Sequence, residues 1–578
     1  MVKKQHNKSK SLSSVLIKVA IVAVLVFIGN YFFNRFDITE EKRHSLTQGS
    51  KDLLTDLDDI VYVKCYMSGD YPAEYKRLER AIREKLDEME IYAGDNLQYE
   101  FINPSDAVDV ETRNKVYKKL QEDGLQYTSL LFPTPDGGSQ EKIIFPGALV
   151  TYKDKTLPLQ ILKGGFQTPD VISINNSINN LEYEFTHIIR LIKKDDIPNI
   201  GFVTGNGELP EPFVADITKH LLESYYVERI NIEGQINKMF NKIGDGNFWK
   251  RKFDLLIVAD PDTAFSDQDK FLLDQHVMRG GKMIWLIDPL YSSRDSLRGQ
   301  MQFFATSKEL GVEQQLFRYG VRLNKDLVVD SECGSIDILT GYIGDQPDIE
   351  VMDWVFNLEA VSRTSHPIVN NIEKVNLDFV SSIDTLHRKG IKQTILLTSS
   401  EASRIQKAPV RVNVNAVRQE IDFTNNANPY APVAVLLEGE FESAFANRIS
   451  PFYKEQEGIF EIEEKSKNTA MMVVADGDVT KNLFDHRKGV VYPLNYDKYK
   501  RREVYGNKEF MLNAVNYLLD EDALISLRNR EIKLRQMQGQ KLKDNKSLIQ
   551  LANIGLPLLL IGLLGLLIQV ARKRRFAK

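Results

Sequence analysis

Three short stretches hold side chains whose types and spacing could do chemistry. Asp476-Gly477-Asp478 follows an apolar run over residues 471–475, and two carboxylates across a glycine offer the oxygen donors that Mg²⁺ or Ca²⁺ takes. The same triplet makes a solvated turn with an Asp capping the next helix, which needs no metal, and no further ligand spacing accompanies Asp476 and Asp478. Thr204-Gly205-Asn206-Gly207-Glu208-Leu209-Pro210 contains a GxG whose backbone amides could approach a phosphate. It lacks the third glycine of a dinucleotide fingerprint, and Glu208 would repel the anion. Gly205, Asn206, Gly207 and Glu208 therefore read first as a strand-to-helix turn and second as a ligand or partner loop. Asp288, at the end of Ile284-Trp285-Leu286-Ile287 and before Pro289, is the third candidate, and as Asp-Pro it is also a turn signal.

The motifs that would add catalytic machinery are missing. The chain has no HExxH, no GxSxG and no histidine pair at helical metal spacing; His187, His220, His276, His366, His387 and His486 are scattered. Without a GxxxxGK[ST] there is no P-loop, so ATP-driven work would need another subunit. No catalytic residue, cofactor or resident metal is assigned. Cys65 and Cys333 stand far apart, which excludes a disulfide scaffold and any CxxC motif.

The elements that must position these stretches read as α/β. A helix is expected around residues 50–57. Residues 60–67 are β-branched and aromatic, Leu78, Ala81, Ile82, Leu86 and Met89 recur at helical spacing, and residues 97–102 read as a strand, together a βαβ unit. Hairpins are expected around Asp136-Gly137-Gly138 and Asp154-Lys155. This order resembles a thioredoxin-like domain, but the loop after the first strand, residues 68–72, carries no cysteine pair. From about residue 195 the pattern restarts, with strands at 200–204, 253–259 and 282–287, a helix at 266–278, later strands at 395–397, 433–437 and 471–475, and a helix at 508–519. Strands alternating with helices argue an open, mostly parallel sheet covered on both faces. Around Asp288 the domain resembles the class I glutamine amidotransferase-like fold, in which this strand would deliver a nucleophilic cysteine; the matching place is held by Asp288. Residues 321–430 read as an insertion of strands.

Length and charge bound the rest. The 578 residues exceed one core and predict two or three folded units. With 43% hydrophobic and 27% charged residues the composition is that of globular protein. Residues 1–14 and 571–578 hold nine Lys or Arg and no acid; removing those nine positive charges from the net −5 leaves the remainder at −14, which argues against nucleic acid. Two runs, residues 15–33 and 548–570, are apolar, and the second is long enough to cross the roughly 30 Å hydrocarbon core of a bilayer. Basic clusters flank both at the chain tips, which favours cytoplasmic termini and a periplasmic body. Tyr31-Phe32-Phe33 replaces the small-x-small pattern of a cleavage site, so the first run reads as an uncleaved anchor. Residues 521–547 read as an amphipathic stalk. In the second span Gly555, Gly562 and Gly565 leave flat surface on which another helix could pack.

Taken together, the segment over residues 35–47, Thr204-Gly205-Asn206-Gly207-Glu208 and above all residues 506–518 preceding 527–534 resemble the GldG family of gliding-motility-associated ABC transporter auxiliary proteins, often labelled substrate-binding. Relatives often carry histidine where this chain has Asn206. The resemblance implies a non-catalytic subunit working beside a multi-span GldF-like permease and a cytoplasmic GldA-like ATPase, linked to gliding or envelope export. The expected plan is a cytoplasmic tail (1–14), a span (15–33), a thioredoxin-like domain (34–194), an amidotransferase-like domain with insertion (195–520), a stalk (521–547), a span (548–570) and a basic tail (571–578) in the inner membrane. The alternatives are an anchored periplasmic binding module for glycan or lipoprotein, which 10% aromatic content permits, and an envelope hydrolase resting on Asp476 and Asp478.

Overall fold

The computed structural model describes residues 45–106, 109–133, 139–162, 171–193, 197–244, 248–297, 300–370, 372–418, 423, 427–446, 460–519 and 546–576. The expected tail at 1–14 and first span at 15–33 lie outside these residues, as do residues 521–545 of the expected stalk. The chain divides into two units, one up to Arg530 and one from Glu531 onward.

The first unit opens with α1 (Gln48–Thr55), β1 (Val61–Cys65), α2 (Ala73–Ala93) and β2 (Leu97–Phe101). In β1, Val61, Val63 and Cys65 are buried while Tyr62 and Lys64 are not, the two-residue alternation of a strand. α2 buries Leu78, Ile82, Leu86 and Met89, one stripe of a 3.6-residue helix, and ends at Gly94 with φ 58°. β1 and β2 pair in parallel across it, giving the expected βαβ unit. After α3 (Val110–Glu122), the hairpins β3 (Thr128–Pro133) with β4 (Ser139–Ile144) and β5 (Gly147–Tyr152) with β6 (Lys155–Gln160) stand where the turn residues place them. One sheet runs β2-β1-β5-β6, with β5 antiparallel to both neighbours, and α4 (Val171–Lys193) packs Phe185 and Ile189 into the same core as Leu78 and Val150.

The second half carries β7 (Asn199–Thr204), α5 (Ala215–Leu221), β8 (Tyr226–Asn231), β9 (Leu255–Ala259), α6 (Asp267–Met278), β10 (Lys282–Leu286) and α7 (Glu313–Tyr319). These are followed by β11 (Cys333–Ile343), β12 (Gln346–Ala360), β13 (Val375–Asp378), β14 (Ile391–Thr398), β15 (Pro432–Gly439), β16 (Thr469–Val474) and α8 (Asn507–Leu519). Seven of these strands form one sheet in the order β14-β15-β16-β10-β9-β7-β8. The five from β16 to β8 are parallel; β15 runs against them, and β14, antiparallel to β15, points the same way as the five. Every residue of β9 is buried, an unbroken apolar run of the kind a sheet covered on both faces requires. Leu255, Ile257 and Ala259 meet Phe510, Met511 and Val515 of α8, whereas Leu256 and Val258 meet Phe271, Leu272 and Val277 of α6. Full burial of one such side chain contributes about 1.5–3 kcal/mol, so both faces of the sheet's centre stabilise the fold. β11, β12 and β13 make a separate three-stranded sheet within residues 321–430.

α8 ties these parts together through asparagines. Asn507 accepts from the Asn376 amide of β13 at 2.8 Å and donates to its carbonyl at 2.9 Å, standing in for a strand. Asn516 donates to the Tyr183 hydroxyl of α4 and accepts from that of Tyr225, both at 2.8 Å, which joins the first sheet's helix to the second sheet. Both cysteines are unpaired, and burial, first of all causes, pushes each thiol up to about 12.

The second unit contains α9 (Lys546–Phe576). Its stretch Asn553–Arg574 is 22 residues long with a mean hydropathy of 2.4, and none of it is buried. That is long and apolar enough to cross a membrane. Gly555, Gly562 and Gly565 lie on it, and a Cβ at Gly562 or Gly565 would meet no described atom within 4 Å.

Candidate functional site at the carboxyl edge of the sheet

In an open parallel sheet, ligands bind outside the carboxyl ends of the strands, where the strand order reverses. Here β7 connects outward to β8 while β9 lies on its other side, so the reversal falls between β7 and β9. The loops at that edge are Thr204 to Pro210, Asp260-Pro261-Asp262, Asp288-Pro289 and Asp476-Gly477-Asp478.

The glycine loop is closed on itself. Gly205 and Gly207 take φ of 116° and 82°, values favourable only to glycine. The Asn206 amide, the donor a phosphate would use, gives its hydrogen to Glu208 Oε2 at 2.7 Å. The Asn206 carbonyl accepts from the amides of Asp262 and Thr263, and Leu209 N donates to Ala259 O. Glu208 is buried. The sequence reading had Glu208 repelling an anion; in the structure its carboxylate occupies the donor itself.

Beside it stands a cluster of carboxyls on three adjacent strand ends. Asp260 follows β9 with φ 51°, a left-handed conformation that aspartate tolerates, and its amide donates to Leu286 O at 3.0 Å. Lys308 Nζ lies 3.5 Å from Asp260 Oδ1 and 3.4 Å from Asp262 Oδ1. Asp288 Oδ1 accepts from the Gly477 amide at 2.8 Å. Asp476 Oδ1 accepts from the Asp478 amide at 2.7 Å, while its Oδ2, wholly enclosed, meets no donor. Asp478 pairs with Lys481 at 2.7 Å, and behind them Arg294 Nε holds Asp378 at 2.6 Å.

These groups stack carboxyls faster than cations. Burial, then the carboxylates of Asp260 and Asp478, pushes Asp288 well above the ordinary carboxyl range. Burial, then Asp288, Asp478 and Asp378, does the same to Asp476. Asp260 is raised by burial and by Asp478, against the pull of Lys308. Burial works to depress the ammonium groups of Lys308 and Lys481, but the surrounding carboxylates win and hold both above their usual value. The enclosed Asp288 and Asp476 thus favour the protonated state, because a charge there would be desolvated and unpaired.

The Asp476-Gly477-Asp478 triplet turns into the short 3-10 helix Asp478–Thr480, with Asp476 accepting its first amide, as one of the two readings from sequence expects. It is not a solvated turn, since Asp476 is fully buried. Its carboxyls engage different partners, and among the described residues no three His, Cys, Asp or Glu side chains are placed to hold a metal ion. Asp288 is likewise no mere surface turn, being buried with a backbone donor of its own. Asp260, Lys308, Lys481, Arg294 and Asp378 were missed. The repeated Asp-Pro after two strands, Asp260-Pro261 and Asp288-Pro289, was a signal for the first; Lys308 and Arg294 carried none. Of the histidines, His276 is fully buried, its pKa lowered to about 3 by burial and then by Arg251, and its Nε2 bonds Lys282 O at 3.1 Å. Elsewhere a concavity of about 940 Å³ is lined in part by Lys270, Gln315, Phe317, Arg318, Arg388 and Phe445.

The sheet and its carboxyl edge coincide with a known family. The model of the ABC-type uncharacterized transport system matches residues 197–514, from the start of β7 into α8. The chain belongs to that family. This auxiliary class of ABC transport protein is the one the sequence resemblance pointed to, and the matched span takes in every residue of the carboxylate cluster. A second model, described as a domain of unknown function (DUF7088), matches residues 40–151, over the first βαβ unit and hairpins. No curated protein matches the chain. A solved structure titled mmIFT52 N-terminal domain is similar to it with a TM-score of 0.31 and 14% identity, over 56% of this chain and 98% of that one.

Proposed function

We propose that this protein is a non-catalytic, membrane-anchored auxiliary subunit of an ABC transport system linked to gliding motility or envelope export, its periplasmic body coupled to a GldF-like permease and a GldA-like ATPase. The observation that carries this is α9: an apolar helix of spanning length, none of it buried, on a chain of the ABC transport family. On this reading residues 34–194 form a thioredoxin-like domain, supported by the order β2-β1-β5-β6 with β5 reversed, and residues 195–520 an amidotransferase-like domain, supported by the parallel sheet. A second span at 15–33 fixes the body over one place on the membrane.

The absence of a catalytic role is supported by access. A hydrolase built on Asp476 would have to admit substrate to a carboxyl that solvent does not reach. The binding-module reading draws support from the 940 Å³ concavity, where Phe317 and Phe445 stand beside Arg318 and Arg388. Gentle solubilisation of the tagged protein followed by mass spectrometry separates the two. A multi-span permease and a P-loop ATPase in stoichiometric amount are expected; purification alone, or with envelope glycoconjugates only, would overturn the transporter reading in favour of the binding module.

A further inference from the structure

Among the described residues, the β11–β12 ribbon leaves one strand face apolar and open. β11 and β12 pair antiparallel, with Asp337 opposite Val351 and Leu339 opposite Ile349. Opposed residues share a face, and alternation along each strand separates two faces. Ile336, Ile338 and Trp354 point into a core with Phe356 and Phe379. On the other face Leu339, Ile349 and Val351 are each more than half exposed, and Tyr342 and Ile343 at the tip are 68% and 74% exposed. Among the described strands none pairs with the outer edge of β11. Soluble proteins ordinarily blunt such an edge and face with lysine or proline, and a contiguous apolar face marks an interaction site.

Its charge is one-sided. Residues 333–360 contain Asp337, Asp345, Asp348, Glu350, Asp353 and Glu359 and no Lys or Arg. Lys498 pairs with Asp337 and Lys374 with Glu359. Asp345, Asp348, Glu350 and Asp353 make no ion pair among the described residues. Asp353 lies at the inner end of the apolar face and Asp345 at the tip, with Asp348 and Glu350 on the reverse side of the same narrow ribbon.

We propose that the outer part of this ribbon, residues 337–343 and 346–353, is a docking surface for a cationic, apolar polypeptide segment of a partner protein. The segment sets apolar side chains on Leu339, Ile349 and Val351 and its Lys or Arg side chains toward Asp345 and Asp353. From Asp345 to Asp353 a strand extends roughly 26 Å at about 3.3 Å per residue, which fits a segment of about eight residues. The four unpaired carboxylates select against an acidic partner and against an anionic lipid surface. This inference stands on the ribbon alone and is independent of the transporter reading.

The test uses the full chain in lipid nanodiscs and two eight-residue probe peptides, one alternating Lys and Val, the other Glu and Val. The Lys-Val peptide is expected to bind, at least tenfold more weakly to the Asp345→Asn/Asp353→Asn and Ile349→Ser/Val351→Ser variants, and more weakly to wild type as salt is raised. A Tyr226→Ser variant, exposed on another strand, should bind as wild type does. Equal binding of both peptides, or unchanged binding by both paired variants, overturns the proposal. Two further outcomes reassign the surface and also overturn it. One is dimerisation in mass measurements that Ile349→Ser abolishes, which makes the occupant a second copy. The other is a blue shift of a polarity-sensitive dye on Ile349→Cys without peptide, which makes it lipid.

Discussion

Asp476 has one oxygen on the Asp478 amide and the other on nothing, so ionising it places an uncompensated charge inside the protein. Its folded pKa is raised by burial first and then by Asp288, above an unfolded value of about 3.9. The folded state therefore binds the proton more tightly, and the stability this contributes is complete below the unfolded pKa and lost as pH rises through the folded one. Asp288 acts in the same sense. Asp476→Asn should melt higher than wild type at neutral pH, with the difference closing toward pH 4; a difference that does not vary with pH would contradict a buried titrating carboxyl. Gly477 has an ordinary φ of −79°, yet a Cβ there would stand 2.6 Å from Asp260 Cβ and Oδ1. Gly477→Ala is expected to cost about 1–3 kcal/mol by overpacking, and Asp260→Gly in the same chain should recover most of it in thermal melts. At this scale the sequence pointed to loops that meet at the carboxyl edge of the sheet and to little of how their polar groups are satisfied. Asp476, Asp478 and Asp288 were visible because they follow apolar runs, but the burial that raises the carboxyls of Asp476 and Asp288 comes in part from pairing β10 with β16, about 180 residues apart in sequence.

Among elements, α8 explains why residues 506–518 are so distinctive. Gly506 leaves only 2.4 Å between a would-be Cβ and Glu373 O, Asn507 mimics a strand against β13, Asn513 donates to Ile368 O at 3.1 Å, and Asn516 links α4 to the second sheet. Replacing Asn516 with Leu removes both hydroxyl partners at once, and unmet buried groups cost about 1–3 kcal/mol. Hydrogen exchange should then rise in α4 while β9 and β10 keep their protection; unchanged exchange in α4 would show that the link carries no load. β9, β10 and α6 were readable because both faces of the sheet are covered and the strands are apolar throughout. β11 and β12 were readable only as part of an insertion of strands and not one by one, because Leu339, Ile349 and Val351 are apolar on the solvent side and erase the alternation that marks a strand.

For the molecule as a whole, the expected two anchors make different demands on truncation. Removing residues 546–578 should leave the body bound to membranes through residues 15–33 after an alkaline carbonate wash, and removing both runs should release it. Release by the first deletion alone would leave α9 as the sole anchor. The seven-stranded sheet also has a temporal aspect. β16 is parallel to β10 and sits directly beside it, yet about 180 residues separate them. At the roughly 5–20 residues per second of synthesis, the edge of β10, with Ile284 and Trp285 on its two faces, waits on the order of ten to forty seconds for its neighbour. During that interval the nascent chain presents a parallel, apolar, unpaired strand edge, the kind most prone to wrong pairing. Fragments ending before residue 469 should accordingly aggregate or stay bound to chaperones, while chains carried past α8 should be competent to close the sheet.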